Sequence, residues 1–461
     1  MISQSVAYDV LTAALASGGD FAEIFIETTR RNAISLVNGG VERASSVITH
    51  GCGIRVFIAA GGAYGALYSY TNDTSAESLL RLAKSMAKDG ACVKVPPFAV
   101  KAVENAHIAE KYPGSVKNSD IARMLTLAHE RASSYDPLVT QTACTYADVE
   151  QNVAIINSEG LWAEDKRVRA RVSAGATATL AGEKQSAVNS PGASAGLEIF
   201  DMYDMEQLAE QSARSAVTIV KAKRCPVGVM PVVIGDGFGG VIFHEACGHA
   251  LEATSVAKNA SVFAGKLGEA IASPLVTAVD DGTIPGEWGS LNIDDEGERT
   301  RKNTLIENGV LKSYMVDKLN GRVMGMAPTG SSRRESYRFA PTSRMTNTYI
   351  ASGGSSFDDI ISATPYGLYA KKMGGGSVQP ATGDFNFFVT EAYLIRDGKI
   401  AEPVRGATLI GKGSKTLMDI DMVSDGMRME QGVCGSISGA VPTNVGQPVI
   451  RVKRLTVGGR G

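Results

Sequence analysis

The chain has five histidines, and two of them fall within one run of six residues, His244-Glu245-Ala246-Cys247-Gly248-His249. Two imidazoles beside a carboxylate are the parts of a hydrolytic metal site: neutral imidazoles bind zinc, and a glutamate that is not a ligand can take a proton from water. The zinc-peptidase spacing H-E-x-x-H keeps its histidines on one helix face. Here the spacing is i, i+5, which at 3.6 residues per turn splays the two rings by about 140°. One additional residue absorbed as a π-bulge restores a common face, and Gly248 is where such a distortion is easiest. The spacing therefore predicts an irregular helix.

A catalytic zinc takes three protein ligands and leaves one position for water, so a third donor must come from elsewhere. Cys247 shares the helix, but its small neighbours suit an ordinary core thiol. Cys434, in Gly432-Val433-Cys434-Gly435-Ser436, stands among glycines that permit close backbone approach, which suits a thiolate arriving from a loop. Glu245 is left as the general base. The same stretch carries a competing pattern. Gly235, Gly237 and Gly240 satisfy the dinucleotide fingerprint G-x-G-x-x-G and would make the chain a nucleotide-dependent oxidoreductase. That fingerprint also needs an acidic residue about 20 positions on; the count from Gly235 lands near Ser255, and the nearest acid, Glu252, falls inside the helix. A near miss to a P-loop ends at Lys412-Gly413, with glycine where a magnesium-binding hydroxyl is required, so ATP binding is not expected.

These groups need a scaffold. Helical periodicity is read at residues 6–16, 119–134 and 204–222, with a further helix capped by a Thr74/Glu77 box and ended at Gly90. Residues 21–27 and 54–59 read as strands, and residues 139–180 as antiparallel sheet turning at 157–160. After the proline-bearing segment 223–231 the text becomes glycine-dense, with few helices and many short strands. The prediction is an α+β protein of two domains: residues 1–223, helices on an antiparallel or mixed sheet, and residues 224–461, β-rich and carrying the metal helix. Gly374 to Gly376 and residues 385–389 are read as a place where an extended peptide could add as a strand. The acidic stretch from Asp280 to Glu298 has no EF-hand order and reads as a solvated loop. The basic run Arg333, Arg334, Arg338 and Arg344 reads either as part of the fold or as an anchor for substrate carboxylates. His50, His107 and His129 read as structural or exposed.

Composition narrows the classes. Lys and Arg number 46 against 48 Asp and Glu, a net charge of −2, so no global field draws the chain to nucleic acid or anionic lipid. The longest apolar stretches, such as residues 56–60, fall far short of the ~18 residues of a membrane span. The start lacks a basic n-region, and the six cysteines are scattered, so a reduced, cytoplasmic protein is expected.

The HEACGH run, Ser273-Pro274-Leu275-Val276 leading to Asp280-Asp281-Gly282-Thr283-Ile284-Pro285-Gly286, Asp294-Asp295-Glu296-Gly297, Arg344-Met345-Thr346-Asn347-Thr348, Gly367-Leu368-Tyr369 and Val433-Cys434-Gly435 together resemble the TldD/PmbA family. These are zinc metalloproteases once described as modulators of DNA gyrase. The resemblance implies zinc ligands at His244, His249 and Cys434, a catalytic glutamate at Glu245, and the metal-bearing TldD type rather than its metal-free PmbA-like partner. It further implies an enclosed site for short or unfolded peptides, in a dimer formed with itself or with a PmbA-like chain. After the cysteine many members continue C-G-K-x-G-Q; here Ser436-Ile437-Ser438-Gly439 follow. A third reading, a non-catalytic gyrase-associated binding protein, predicts no metal.

Overall fold

A computed structural model describes residues 2–16, 18–60, 63–86, 94–379 and 382–459. The fold is α+β and is built on two large sheets. The first half begins with the helix Gln4–Leu15 and three long antiparallel strands, Phe21–Val37, Gly40–Ala60 and Ala63–Thr71; Val139–Asn157 and Leu161–Leu180 extend the same sheet beside Phe21–Val37. Alternation explains its two faces. Ala22, Ile24 and Ile26 pack with Val10, Leu11, Leu79 and Ala83 of the helices Gln4–Leu15 and Ala76–Met86. The helices Asn118–Ser133 and Met205–Lys221 cover the rest of that face through Leu125, Ala128, Ala209 and Ala213. The intervening residues turn to the second half, where Phe25 and Ile155 meet Ile293 and Tyr337.

The first strand is thus buried on both faces at its start, which is why its text reads as a continuous run, and it continues well past the expected end at Glu27. The helix expected from a Thr74/Glu77 box starts one residue later: Ser75 Oγ accepts from Ser78 N–H and its carbonyl from Leu79 N–H. The expected stop at Gly90 lies outside the described residues. Asp204 caps the helix after it through Glu206 and Gln207 N–H, as a short carboxylate at an N-cap should.

The second sheet is centred on Gly228–Ile234, which pairs with Tyr366–Gln379 in parallel and with Gly439–Gly459 antiparallel. Its strands are not all short, as expected from the glycine-dense text: Tyr366–Gln379, Asp384–Arg396, Ile420–Ser436 and Gly439–Gly459 are long, and the last two form one hairpin.

The acidic stretch corrects the reading as a solvated loop. Asp280, Asp281, Asp294, Asp295 and Glu296 are all buried. Asp280 accepts from Thr346 N–H and the hydroxyls of Thr346 and Thr348. Asp295 receives Arg167 and the Arg334 N–H, while Glu296 receives Arg55 at 2.7 Å and the Lys318 N–H. Buried carboxylates are tolerated when donors surround them, and these donors come from 22 to 241 residues away in sequence. Arg334 reaches Glu23 of the first strand, so these groups also tie the two sheets together. Arg333, Arg334 and Arg344 are buried and belong to the fold; Arg338 is exposed. Among the described residues no helix is long and apolar enough to cross a membrane.

Candidate metal centre

The strand Gly228–Ile234 leads into a segment that changes its backbone hydrogen bonding repeatedly. A 3-10 turn at Gly237–Gly240 passes through Val241–Phe243 into a π-turn at His244–Gly248, then a second 3-10 turn at His249–Leu251. The His249 N–H donates to the His244 carbonyl, five residues back, which is the bond a π-turn requires. The i, i+5 spacing is thereby brought onto one face, and the ring centroids lie 5.1 Å apart. Gly248 has ordinary helical angles, φ −55° and ψ −51°. Its lack of a side chain serves packing instead, since a Cβ there would collide with the Met345 sulfur.

Cys434 arrives on Ile420–Ser436 from the other side. Its Sγ lies 3.1 Å from His244 Nε2 and 3.2 Å from His249 Nε2, and the three donor atoms all fall within 4.8 Å of one another. Burial pushes the Cys434 thiol up, but the two imidazoles outweigh it and bring its pKa down to about 4. Burial alone acts on Cys247 and holds its thiol far above the usual range; it packs in the large core of the second half. Glu245 stands at the rim, its side chain about a third exposed (32%) and its Oε2 3.8 Å from His249 Nε2. The residues expected from the sequence are therefore together, with Cys434 and not Cys247 at the imidazoles. Zinc bonded at ~2.3 Å to sulfur and ~2.0 Å to nitrogen in a tetrahedron separates those atoms by about 3.5 Å, so a small outward movement of the donors admits the ion.

Two residues of the surroundings were not evident from the sequence. Glu252 places Oε2 3.1 Å from His249 Nδ1, and this carboxylate raises the His249 pKa well above the usual value against the opposing effect of burial. Arg344 donates to the Cys434 main-chain carbonyl. The i, i+3 step from His249 to Glu252 was the one available signal, because a carboxylate one turn from a histidine ligand is a recurrent orienting partner.

The competing glycine pattern is accounted for by packing. A Cβ at Gly235 would strike the Lys371 carbonyl, and one at Gly240 would meet the Gly446 backbone at 2.5 Å. These glycines let chains touch, and the short 3-10 turn Gly237–Gly240 that holds two of them, with the three-residue helical turn Val241–Phe243 after it, is not a long helix offering its N-terminus to a pyrophosphate. Gly413, the P-loop near miss, likewise abuts the Ala246 carbonyl. Of the two peptide-addition elements, residues 385–389 lie in a strand already flanked on both sides: 385–387 pair with 378–376 and with 411–409, Phe388 with Thr408, and Val389 with Met373. Tyr366–Gln379 differs: its pairing with Gly228–Ile234 stops at Ala370, and among the described residues no strand pairs with that edge beyond it.

Three domain patterns of one family match the chain: PmbA/TldA metallopeptidase domain 1 at residues 22–106, the central domain at 111–219 and the C-terminal domain at 227–459. A Haemophilus influenzae protein named metalloprotease TldD homolog is 37% identical over 452 residues, 95% of this chain and 93% of the relative. A metalloprotease of Methanothermobacter thermautotrophicus is 33% identical over 95% of this chain and 96% of its own length. Among solved structures, a Thermotoga maritima protein described as a candidate modulator of a DNA gyrase superposes with a TM-score of 0.77 at 23% identity, over 99% of this chain and all of the other. TldE from Thermococcus kodakarensis gives 0.73 at 21% identity over 98% and 100%. The structural matches show the shared fold, while the sequence relatives, alike over nearly their whole length and named for their activity, make this chain a metallopeptidase. It belongs to the PmbA/TldD family.

Proposed function

We propose that the chain is a zinc-dependent peptidase in which His244, His249 and Cys434 hold the metal and Glu245 is the general base. The observation that carries this reading is the convergence of two imidazole Nε2 atoms and one low-pKa thiolate within 4.8 Å. When bound, zinc polarises a peptide carbonyl and makes water acidic near pH ~7. With zinc bound, a His₂Cys set would leave a fourth position for water or substrate. Glu245, at the rim, takes the proton from the attacking water and delivers it to the leaving amine.

Short or unfolded peptides are the proposed substrates. The unpaired edge of Tyr366–Gln379 beyond Ala370 supports this, since strand addition requires a substrate backbone free of its own hydrogen bonds. The same reading takes residues 224–461 as the catalytic domain and residues 1–223 as a second domain, in a cytoplasmic dimer formed with itself or with a PmbA-like partner.

Metal content by emission spectroscopy tests the ligand set. Wild type and Cys247→Ala are expected to carry about one zinc per chain and Cys434→Ala to lose it; the opposite pattern overturns the assignment. One small protein offered native and unfolded tests the substrate class: equal cleavage of both, with the native form still folded, removes it.

A further inference from the structure

The donors come from two segments far apart in sequence, and something must fix their mutual position before a metal can be held. Arg344 is fully buried and touches both. One terminal nitrogen, Nη2, donates to the main-chain carbonyl of Cys434; the other, Nη1, donates to Ser438 Oγ and the Gly439 carbonyl, each at 2.9 Å, across the turn that closes the Cys434 hairpin. Its Nε lies 3.9 Å from Glu252 Oε1, and Glu252 Oε2 is the atom 3.1 Å from His249 Nδ1. Arg344 Nε and Glu252 Oε1 are both buried without a hydrogen-bond partner among the described residues, and they face each other. Buried polar atoms are rarely left unpaired, and a charged donor and acceptor gain most from closing such a gap.

We propose, resting on the ligand set given above, that Glu252 and Arg344 form a positioning brace that joins the histidine segment to the cysteine strand. Glu252 accepts the Nδ1 proton of His249, which orients the ring so that its Nε2 faces the donor cluster, where a lone pair would be available to an ion. Arg344 fixes the Cys434 backbone with its planar fork and closes on Glu252 from behind. Its own strand position is set independently, because the Arg344 N–H donates to the Ser331 carbonyl at 2.8 Å, and the neighbouring Ser343 Oγ receives the Thr254 N–H at 3.1 Å just beyond His249. The brace acts on the geometry of the donors and does not touch substrate.

Cobalt(II) titration tests this, read by the thiolate-to-cobalt absorption band and by competition with a chelator. Glu252→Ala is expected to lower metal affinity ~10–100-fold, the range for loss of an orienting partner. Glu252→Gln keeps an accepting oxygen and is expected to recover much of that loss. Arg344→Lys keeps the charge but not the fork; it is expected to weaken binding and to shift the band, with Lys failing where Gln succeeds. Cys434→Ala is the control and must abolish the band. If Cys434→Ala keeps the band, the ligand set itself is wrong. If it abolishes the band while Glu252→Ala and Arg344→Lys bind cobalt with wild-type affinity and spectrum, the ligand set stands and the brace is overturned. Should Arg344→Lys fail to fold, the Glu252 pair decides alone: wild-type affinity in Glu252→Ala overturns the proposal, and loss restored by Gln sustains it.

Discussion

The hairpin Phe21–Val37/Gly40–Ala60 and the segment 235–256 solve opposite problems. The hairpin pairs residue against residue along its whole length with a single register shift, between Ser35 and Leu36. The metal segment passes through 3-10, α, π and 3-10 bonding in fewer than 20 residues. A sheet needs one repeating direction, since burying one face fixes every alternate side chain. A polydentate site needs donors aimed at one point from residues that no single period brings together. Irregular backbone is how a short segment achieves that, and substitutions there are expected to act on chemistry, whereas substitutions in the hairpin act on stability alone.

The widest expected contrast is in turnover. Glu245→Gln is expected to keep its metal and its fold while peptide hydrolysis falls ~10²–10⁴-fold, the usual value of a positioned proton-transfer group. Steady-state kinetics with metal analysis on the same sample measures it; near-normal turnover with full metal content rejects the assignment.

Titration separates Cys434 from Cys247 next. In metal-free protein Cys434 is expected to be a thiolate at about pH 6, with its ultraviolet thiolate absorbance disappearing as pH falls through about 4 and absent throughout in Cys434→Ala. Cys247, pushed up by burial, contributes no thiolate in that range.

How far the metal segment was legible follows from what each residue depends on. The two histidines and the π-turn follow from local spacing, and Cys434 from the glycines around it. Glu252 and Arg344 were not recognised because their roles exist only once residues 252, 344 and 434 meet. The acidic stretch was misread for the same reason: Asp295 and Glu296 look solvated until Arg167, Arg334 and Arg55 arrive from other strands. Three long helices were legible to within a residue or two at both ends and a fourth at its start, because an apolar stripe declares itself locally. The doubly paired stretch 385–387 was not, because composition does not reveal which strand edges are taken.

Two glycines give the smallest contrasts. Gly248→Ala drives a methyl group into Met345 and is expected to cost about 1–3 kcal/mol, as overpacking does. Urea unfolding reads the loss, and metal affinity falls with it because the π-turn must shift. Gly65, in Ala63–Thr71 beside the hairpin, has nothing within 4 Å of a built Cβ. Gly65→Ala is expected to gain about 0.5 kcal/mol through the strand preference alone and to leave metal affinity unchanged.

The cysteine strand has a consequence for how the molecule comes to life. His244 and Cys434 are 190 positions apart, and the end of Ile420–Ser436 that carries Cys434 is paired with Gly439–Gly459. On the proposed ligand set, a nascent chain that has emerged as far as residue 256 would present the two imidazoles without Cys434, a weak bidentate pair that a competing chelator could strip. Full grip on an ion would then begin only when Gly439–Gly459 has been translated and has folded back against Gly228–Ile234. A chain interrupted before that strand would lack the proposed centre, so an aborted translation product is expected to be inert toward the peptides around it.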